Sequence, residues 1–529
     1  MSTTESKPRT RREAKAALGP YGRVGKMVGE LDDRLGVAKG GRAFLDKIFP
    51  DHWSFMLGEI ALYSFVVLIA TGIFLSLYYV PSQATVIYHA GAHGYKPLNG
   101  LRVSEAYASS VDLSFVVRCG LLMRQMHHWA ADVFVGSIVV HMARIFFTGA
   151  FRKPRETNWV IGIVMLILAI LNGFIGYSLP DDLISGTGIR IGYSIVLSIP
   201  FVGSYLATFL WGPGAFPGHI IIERFYIIHV LIIPVGIAAL LAAHLGLLVR
   251  QKHTQFPGKG RTEHNVIGSP MFPTFMAKTT GFLLMVSGGL ALLGGLAQIN
   301  PIWQFGPYTP SKISYAVQPD WYMGWLDGAL RIMPSWEWTG WGHTLPWEVF
   351  FPAVILPGII FNICFIWPMM ERKLTKDGEM HNLLDRPRDR PKRTAAGAAM
   401  LALLFMLFAA SSTDVLANFF HVSLNEVLWF FRITVIVVPI IVAFATWQIC
   451  REMQGVHGIG QRKRALVVSR TAGGEYTATP SEPRPGDEPR ELAPEPVPVE
   501  IDLEPEAVGA AATAATTTDG GPGVRRVNR

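Results

Sequence analysis

Two histidines, His127 and His141, stand fourteen residues apart in one apolar stretch of the chain. The stretch reads RQMHHWAADVFVGSIVVHMAR and has an arginine at each end, Arg124 and Arg144. On an α-helix, fourteen residues turn through about 1400°, about 40° short of four full turns, and rise about 21 Å. Both imidazoles therefore share one face, near opposite surfaces of a hydrocarbon core about 30 Å thick. Ionisable side chains in a membrane span must face the bundle interior, so both are candidate functional residues.

A second apolar stretch, RFYIIHVLIIPVGIAALLAAHLGLLVR, carries His229 and His244 fifteen residues apart. On an ideal α-helix these two side chains stand about 60° from each other. If the two helices are parallel neighbours, His127 meets His229 near one membrane surface and His141 meets His244 near the other. Each pair can supply two axial nitrogens to a haem, which then carries electrons without an open iron position. The alternative for any single histidine is a polar side chain hydrogen-bonded inside the bundle.

The composition is that of a membrane protein. Of 529 residues, 50% are hydrophobic and 16% are charged, which is too apolar for a soluble protein. The net charge of +8 comes mostly from tails and alternate loops, as membrane topology requires, so no nucleic-acid partner is expected. The three cysteines form no CxxC or CxxCH motif, so an attached c-type haem or iron–sulfur cluster must belong to a partner. The polar, basic N-terminal region is not a cleavable signal.

Hydropathy predicts an all-α, polytopic fold with eight membrane-spanning helices. The predicted spans are 55–80, 124–144, 159–179, 224–250, 278–297, 347–367, 395–411 and 427–450. The connection 180–224 is apolar but broken by Gly and Pro, and we interpret it as surface-lying helices. The predicted domains are a basic cytoplasmic arm (1–48), a four-helix di-haem bundle made of spans one to four (49–265), a C-terminal membrane domain (266–454) and a disordered cytoplasmic tail (455–529).

Lysine and arginine clusters fall in the N-terminal arm, in the loops after spans two, four and six, and at the start of the tail. The positive-inside rule therefore predicts that both termini are cytoplasmic. Spans two and four then both run from outside to inside, as the histidine pairing requires. The predicted outer haem site is His127 with His229, and the inner site is His141 with His244.

Paired glycines repeat the histidine spacing on the two neighbouring spans. Gly58 and Gly72 lie fourteen apart on span one, and Gly162 and Gly176 lie fourteen apart on span three. Because glycine has no Cβ, it lets the edge of a porphyrin approach the backbone closely. Ordinary packing of small residues between helices is the alternative interpretation.

A run in the outer loop, Pro319, Asp320, Trp321 and Tyr322, lies on the side of the outer haem site. Oxidation of a quinol releases two electrons and two protons, so such a site needs a proton acceptor and an apolar slot for the ring. A carboxylate beside aromatic side chains meets both needs. The alternative is an interfacial belt of Trp and Tyr with an ordinary loop aspartate.

Together these motifs resemble the cytochrome b subunit of cytochrome bc complexes. The resemblance covers roughly residues 50–450 and rests on the histidine and glycine spacings, the GYSLP run at 176–180 and the PDWY run at 319–322. The fifteen-residue spacing and the FTGAFRKPRE run are similar to the b/f-type branch, and the single chain with eight spans is like the bc1-type arrangement. The basic arm, the PDWY variant and the Pro- and Glu-rich tail look like actinobacterial members of the family.

The resemblance implies a Q cycle in a bacterial plasma membrane. Menaquinol would be oxidised at the outer site, with one electron passing to a Rieske iron–sulfur subunit and on to a c-type cytochrome subunit. The second electron would cross the membrane through two b-type haems to a cytoplasmic-side quinone site, contributing to the proton-motive force. The resemblance also implies a homodimeric complex and a possible supercomplex with a terminal oxidase.

The family's functional residues carry over by position. Asp320 stands where the family has the Glu of its PEWY motif, so the resemblance implies that it accepts a quinol proton, with Tyr322 and Tyr177 lining that pocket. Arg124 and Arg144 match arginines that contact haem propionates. The inner quinone site has two candidates, of which Lys278 matches a basic residue of that site and His253 is a neighbour by position only.

Five positions depart from the family or leave a choice. Asp320 is one methylene shorter than the usual Glu, and Asp181 with Asp182 form an acidic pair where many members have Trp. Thr279 stands where mitochondrial relatives have Asp, which leaves the inner proton donor unassigned. His128, thirteen residues from His141 and about 100° around the helix from His127, competes as a haem ligand; the family spacing of fourteen favours His127.

Two other functions are compatible with intramembrane histidines. A di-haem membrane anchor of another quinone-linked dehydrogenase would need neither the PDWY loop nor four additional spans. A transporter with a histidine proton relay would bind no haem, and inverted repeats would be expected in it; none is apparent in the sequence.

Overall fold

The computed structural model describes residues 44–214, 216–312, 318–340, 342–454, 466–470 and 476–480. Within these ranges, eight helices are long and apolar enough to cross a membrane, which confirms the predicted number of spans and the all-α class. They are α1 (Trp53–Ser76), α3 (Gly120–Thr148), α4 (Glu156–Ser178), α7 (Ile221–Gln251), α8 (Met271–Leu296), α11 (Trp347–Thr375), α12 (Pro391–Ala410) and α14 (Leu424–Met453).

Short elements connect the spans. The short helices are α2 (Glu105–Phe115), α5 (Leu183–Leu197), α6 (Gly203–Trp211), α9 (Ile302–Phe305), α10 (Trp321–Ile332) and α13 (Thr413–Phe420). Short strands form antiparallel pairs: β1 (Ile48–Phe49) with β4 (Ser269–Pro270), β2 (Thr85–Ile87) with β3 (Arg102–Ser104), and β5 (Glu337–Gly340) with β6 (His343–Pro346). The connection 180–224 thus contains two helices, α5 and α6, that are not counted among the spans.

The fourth span is interrupted by a π-helical turn at Ile228–Ile232, and His229 lies in this turn. Pro234 follows at the start of the next α-helical segment, where a proline lacks the N–H that a regular ladder would use. A π-turn takes in one residue more than an α-helical turn. The fifteen-residue spacing from His229 to His244 is thereby equivalent to about fourteen α-helical residues. The angle of about 60° expected for an uninterrupted helix is therefore wrong.

The core of the first four spans is a cluster of interlocking aliphatic and aromatic side chains. Phe65 of α1 stacks on Phe134 of α3, with ring centroids 5.5 Å apart, and Leu166 of α4 and Ile237 of α7 are buried in the same cluster. All four helices thus contribute to one apolar core, which holds the histidine-bearing helices α3 and α7 in fixed positions.

The segment after α8 is hydrogen-bonded to the N-terminal part of α3. The side-chain amide of Gln125 donates to the carbonyl of Ile299 over 2.7 Å and its oxygen accepts from the Ile299 N–H over 2.8 Å. The indole of Trp129 donates to the carbonyl of Ala297 over 2.7 Å. These bonds connect the two predicted membrane domains, and the spans belong to one compact unit that ends at Gly458.

The C-terminal tail departs from the prediction. Residues 455–529 were expected to lack regular structure, but strands β7 (Leu466–Arg470) and β8 (Tyr476–Pro480) form an antiparallel hairpin within them. Disorder is therefore the wrong prediction for these two segments. The remainder of the tail and the basic arm up to residue 43 lie outside the described residues.

Candidate functional site

The outer histidines face each other across the α3–α7 interface. The ring centroids of His127 and His229 are 6.1 Å apart. The Nδ1 atom of His127 lies 2.9 Å from the hydroxyl of Thr71, and the Nδ1 atom of His229 lies 3.0 Å from the carbonyl oxygen of Asn172. Partners on Nδ1 fix the orientation of a ligating imidazole and leave Nε2 for a metal. The arrangement suits two axial ligands to one iron.

A cavity of about 550 Å³ opens between these helices. Predicted residues of both the outer haem site and the quinol site line this one space: Gly72, Arg124, His127, Gly176, Tyr177, His229, Asp320 and Tyr322. Its walls are otherwise largely apolar, as expected of a cofactor or small-molecule site with a few convergent polar groups.

Three of the four predicted glycines lie directly against the histidines. A Cβ added to Gly176 would lie 2.4 Å from Cε1 of His229, and one added to Gly72 would lie 3.2 Å from Cε1 of His127. Gly58 has the same relation to His141, at 3.2 Å. Gly162 differs, because its added Cβ would meet nothing within 4 Å. A cradle of this kind fits a flat group held between imidazoles.

Replacing Gly176 by Ala is expected to remove or strongly weaken the outer b-type component. A contact of 2.4 Å forces the His229 ring away, and overpacking of this kind typically costs about 1–3 kcal/mol. The measurement is haem content and a redox titration of purified membranes. Gly281→Ala is the matched control, because its Cβ meets nothing within 4 Å, and this variant should retain both components. Unchanged haem in Gly176→Ala would contradict the cradle.

Two arginines have unused donors at the two ends of the histidine helix. Arg124 donates from Nη1 to the carbonyl of Asn300 over 3.1 Å, while its buried Nε and Nη2 have no partner among the described residues. Nε and Nη2 of Arg144 are likewise without one, and its guanidinium lies 4.4 Å from the ring centre of Phe55. Buried unpaired donors are costly. They fit a group that brings its own carboxylates, as a haem does with its propionates.

The inner histidines, like the two arginines, have buried nitrogen atoms without a hydrogen-bond partner in the described part of the chain. The Nδ1 atoms of His141 and His244 are buried and have no hydrogen-bond partner among the described residues. The ring of His141 lies against Gly58 of α1, and it is close enough to His244 to interact with it electrostatically. The structure thus brings all four predicted histidines into two levels of one helix pair.

His128 faces away from this pair and contacts the predicted quinol site instead. Its Nε2 atom lies 2.9 and 3.0 Å from the two carboxylate oxygens of Asp320. The hydroxyl of Tyr322 donates to the same carboxylate over 2.9 Å. Of the two adjacent histidines, His127 is therefore the one directed at His229. His128 holds the carboxylate.

The remaining residues of the PDWY run have different surroundings. Tyr322 is 3% exposed and packs where Gly173 leaves room for its ring. Trp321 is 40% exposed, lies over Gly136 and is not part of the cavity wall; its catalytic role stays a prediction. Successive residues of a helix differ by about 100° in direction, and of these two rings only that of Tyr322 lines the cavity. Pro319 lies in the extended segment before α10.

The two predicted inner-site residues flank the β1–β4 ribbon. The ammonium of Lys278 donates to Asp51 over 2.9 Å and to Ser269 over 3.1 Å. The ring of His253 packs on Phe49, with centroids 4.5 Å apart. Burial lowers the pKa of His253 to about 4, assisted by the positive charges of Lys47 and Arg155. The imidazole is therefore neutral at physiological pH.

The acidic pair after GYSLP is buried at the start of α5. Asp182 is 3% exposed and its carboxylate accepts from the backbone N–H of Ser185 over 3.1 Å, which caps the helix. Burial raises the pKa values of Asp181 and Asp182 to about 6 each. These groups lie between spans, beside the cavity that Asp182 helps to line.

The Asp182→Asn variant should be stabilised at neutral pH. The folded chain holds the Asp182 proton more tightly than the unfolded chain, so stability falls as pH rises from 3.8 to about 6 and is level above. Two pKa units correspond to about 3 kcal/mol, and Asn retains the helix cap. Thermal unfolding of the complex between these pH values measures the slope, which the variant should reduce. Asp46→Asn, an exposed control, should leave it unchanged; an unaltered slope in Asp182→Asn would contradict the assignment.

Sequence reasoning missed several residues of the site. Asp132 lies one helical turn after His128, and its carboxylate, the His128 ring and the Asp320 carboxylate are all within 4.8 Å of one another. An aspartate inside a span, at i+4 from a histidine, is itself a signal of function. Thr71 and Asn172, by contrast, are ordinary polar residues whose contact with the histidines depends on the packing of separate helices.

Comparisons with known proteins agree with this geometry. A family model described as Cytochrome b(N-terminal)/b6/petB matches residues 132–307. A cytochrome bc1 complex cytochrome b subunit from Streptomyces coelicolor is 46% identical over 482 residues, covering 90% of this chain and 86% of the relative. The subunit of that name from Corynebacterium efficiens is 52% identical, covering 80% of this chain and 77% of the relative.

The fold has a solved counterpart. A chain of a hyperthermophilic respiratory Complex III superposes with a TM-score of 0.57 at 19% identity, covering 79% of this chain and 99% of that chain. At this identity the likeness concerns the fold alone. The relatives, which share about half of their residues over most of the chain, carry the assignment further. The chain belongs to the family of cytochrome b subunits of actinobacterial cytochrome bc1 complexes, b-type haem proteins that span the membrane many times.

Proposed function

We propose that this chain is the di-haem, quinol-oxidising subunit of a respiratory quinol:cytochrome c oxidoreductase. Quinol is oxidised at the outer site, one electron leaves to a Rieske iron–sulfur subunit, and the other crosses the membrane to a quinone at the cytoplasmic side. Protons are released outside and taken up inside, which contributes to the proton-motive force. Menaquinol is the expected substrate, by resemblance to actinobacterial relatives.

The observation that carries this proposal is the shared outer cavity. Its wall includes the paired rings of His127 and His229 and also the carboxylate of Asp320. A quinol ring in this space would have a proton acceptor beside it and a route for an electron toward the histidines. An electron-transfer anchor without quinol oxidation would not need that carboxylate, and a proton-coupled transporter would not need the glycine cradle.

The histidines would hold two b-type haems, His127 with His229 at the outer level and His141 with His244 at the inner level. When bound, such haems supply one-electron transfer without an open coordination position. Thr71 and Asn172 orient the outer imidazoles through Nδ1. Arg124 and Arg144 offer their unpaired donors to propionates.

At the outer site, the role of Asp320 is to accept a proton from the quinol hydroxyl. His128 and Tyr322 both hydrogen-bond to its carboxylate, which fixes the acceptor in one orientation. A positioned base of this kind contributes about 10²- to 10⁴-fold to rate. Tyr177 and Tyr322 form walls of the slot, while Trp321 lies over Gly136 of α3 beside it.

The partners follow from the family and from what the chain lacks. Its cysteines form no cluster-binding motif, so the iron–sulfur centre and the c-type haem belong to other subunits. A dimeric complex, a supercomplex with a terminal oxidase and a cytoplasmic location of both termini complete the proposal. The loops rich in Lys and Arg after α3, α7 and α11 support this orientation.

The test is reduction of the b-type haems by a menaquinol analogue in membranes that contain the complete complex. Two b-type components with separate potentials are expected, both reduced through the outer site when an oxidant is added for the Rieske subunit. Cytochrome c reduction should depend on the quinol. Absence of any b-type signal, or signal without quinol-dependent reduction, would overturn the proposed function.

A further inference from the structure

A carboxylate lies between α1 and α8 that no part of the mechanism above uses. Oε2 of Glu59 accepts from the hydroxyl of Thr279 over 2.8 Å and from that of Tyr63 over 3.1 Å. The two hydroxyls also lie next to each other, and either can donate to the other instead of to the carboxylate. Two residues of α1 and one of α8 thus form a hydrogen-bonded triad, Glu59, Tyr63 and Thr279, with a single acidic group. A carboxyl inside a span is costly and is normally functional.

Both helices of the triad also carry a residue of the inner site next to it in sequence. Glu59 follows Gly58, whose Cα lies against the ring of His141, the inner haem ligand of α3. Thr279 follows Lys278, the cation expected to bind quinone at the inner site. The carboxyl therefore lies between α1, which contacts the inner histidine His141, and α8, which carries the predicted quinone-binding residue Lys278.

A connection to water lies at the end of the same helix pair. Lys278 and Asp51 form an ion pair at 2.9 Å, and their side chains are 54% and 49% exposed. Ser269 bonds to both of them, at 3.1 Å from the ammonium and 2.6 Å from the carboxylate. Titratable groups at the surface thus stand one residue away from the triad along α8.

We infer that Glu59 is the proton donor of the inner quinone site, in the place left open by Thr279. This inference rests on the proposed function. Quinone takes up two electrons, delivered one at a time across the membrane, and two protons. The O–H bond of the Glu59 carboxyl breaks as its proton bonds to one carbonyl oxygen of the quinone. The second proton comes from water, and the Glu59 carboxylate is reprotonated from the side of Asp51 and Lys278.

The other members of the triad are poor donors for this step. A threonine hydroxyl is a very weak acid, and a phenol is weaker than a carboxyl by about six pKa units. Lys278 is paired with Asp51, and this ion pair is lost if the ammonium gives up its proton. Its positive charge suits binding of a quinone oxygen, and proton donation is left to Glu59. The competing interpretation of the triad is a hydrogen-bonded clamp that only holds α1 to α8. A clamp and a donor respond differently to substitution.

The experiment uses the Glu59→Gln variant in the complete complex. Gln keeps the size of Glu and still accepts both hydroxyl bonds, but it has no acidic proton. With an outer-site inhibitor present, the pre-reduced b-type haems are mixed with a menaquinone analogue, and haem oxidation is followed by stopped flow. We expect this rate to fall about 100-fold, the lower end of what a positioned general acid contributes. Reduction of the haems through the outer site should keep its wild-type rate.

Matched variants separate the donor from the clamp. Tyr63→Phe and Thr279→Val each remove one hydroxyl of the triad and keep the acid, so both should retain most of the inner-site rate. Glu59→Asp should recover part of the rate. Glu156→Gln removes a carboxyl at the start of another span and should change neither rate. If Glu59→Gln keeps the wild-type rate, or loses no more than Tyr63→Phe and Thr279→Val do, Glu59 is not the donor.

An infrared measurement tests the inference even if the Glu59→Gln variant does not assemble. The quinone-linked difference spectrum of the wild-type complex should contain a carboxyl C=O band that shifts in Glu59→Asp, and a spectrum without this band would overturn the inference. Failure of the proposed function looks different, because the wild-type complex itself would then lack b-type haem or quinone reduction.

Discussion

The His229→Leu variant should retain one b-type haem and lose the other. Its leucine cannot supply the axial nitrogen opposite His127, whose ring lies 6.1 Å away in the native chain. His244→Leu should lose the other component, since it belongs to the inner level. The measurement is a reduced-minus-oxidised spectrum with a redox titration. Each variant should fall from two haems to one per chain, with a different potential missing in each case.

The control for this pair is His219→Leu, in the exposed loop before α7, which should keep both haems. A His127→Leu variant should match His229→Leu in the component it loses, and His141→Leu should match His244→Leu. Loss of the same component in His229→Leu and His244→Leu would contradict the assignment of the two levels. So would retention of both haems in either.

Turnover of the Asp320→Asn variant should fall by about 10²- to 10⁴-fold, while both haems stay in place. Asn has nearly the shape of Asp and can still accept from Tyr322, but it cannot take up a quinol proton, which is the contribution of a positioned base. Quinol-dependent reduction of cytochrome c by the complete complex measures the loss. The redox titration of the same membranes measures haem retention.

Asp112→Asn is the matched control on the outer side. Its carboxylate accepts from Tyr88 over 2.7 Å, it is not part of the cavity wall, and its substitution should leave turnover within about twofold. Asp320→Glu keeps a carboxylate, with the side chain of the usual family motif, and should retain most of the activity. Full turnover in Asp320→Asn would remove this residue from the proton path and leave His128 and Tyr322 without their proposed function.

Helical periodicity explains what the sequence could predict. The histidine and glycine spacings depend only on the turn and rise of a single helix, so His127 with His141, and Gly58 with Gly72, could each be placed on one helix face without coordinates. Contacts between helices are different, because they depend on rotation and depth. The bond from Thr71 to His127 and the orientation of His128 toward Asp320 therefore appear only in the structure.

The PDWY run shows what a short motif in a loop cannot predict. Its residues were expected to act together, but α10 begins at Trp321, and of its two rings only that of Tyr322 lines the cavity. A motif of four letters cannot specify where a helix begins. The tail shows the opposite limit, because composition favoured disorder and a hairpin at 466–480 was not anticipated.

The π-turn at Ile228–Ile232 makes the length of α7 adjustable. An additional residue accommodated in this turn leaves the rest of the helix in register, so an insertion or deletion here changes the count between His229 and His244 without moving either ring to another face. The same arrangement of the two histidines can then be reached in two ways. One chain has a spacing of fourteen residues and a regular helix, and the other has a spacing of fifteen residues and a π-turn.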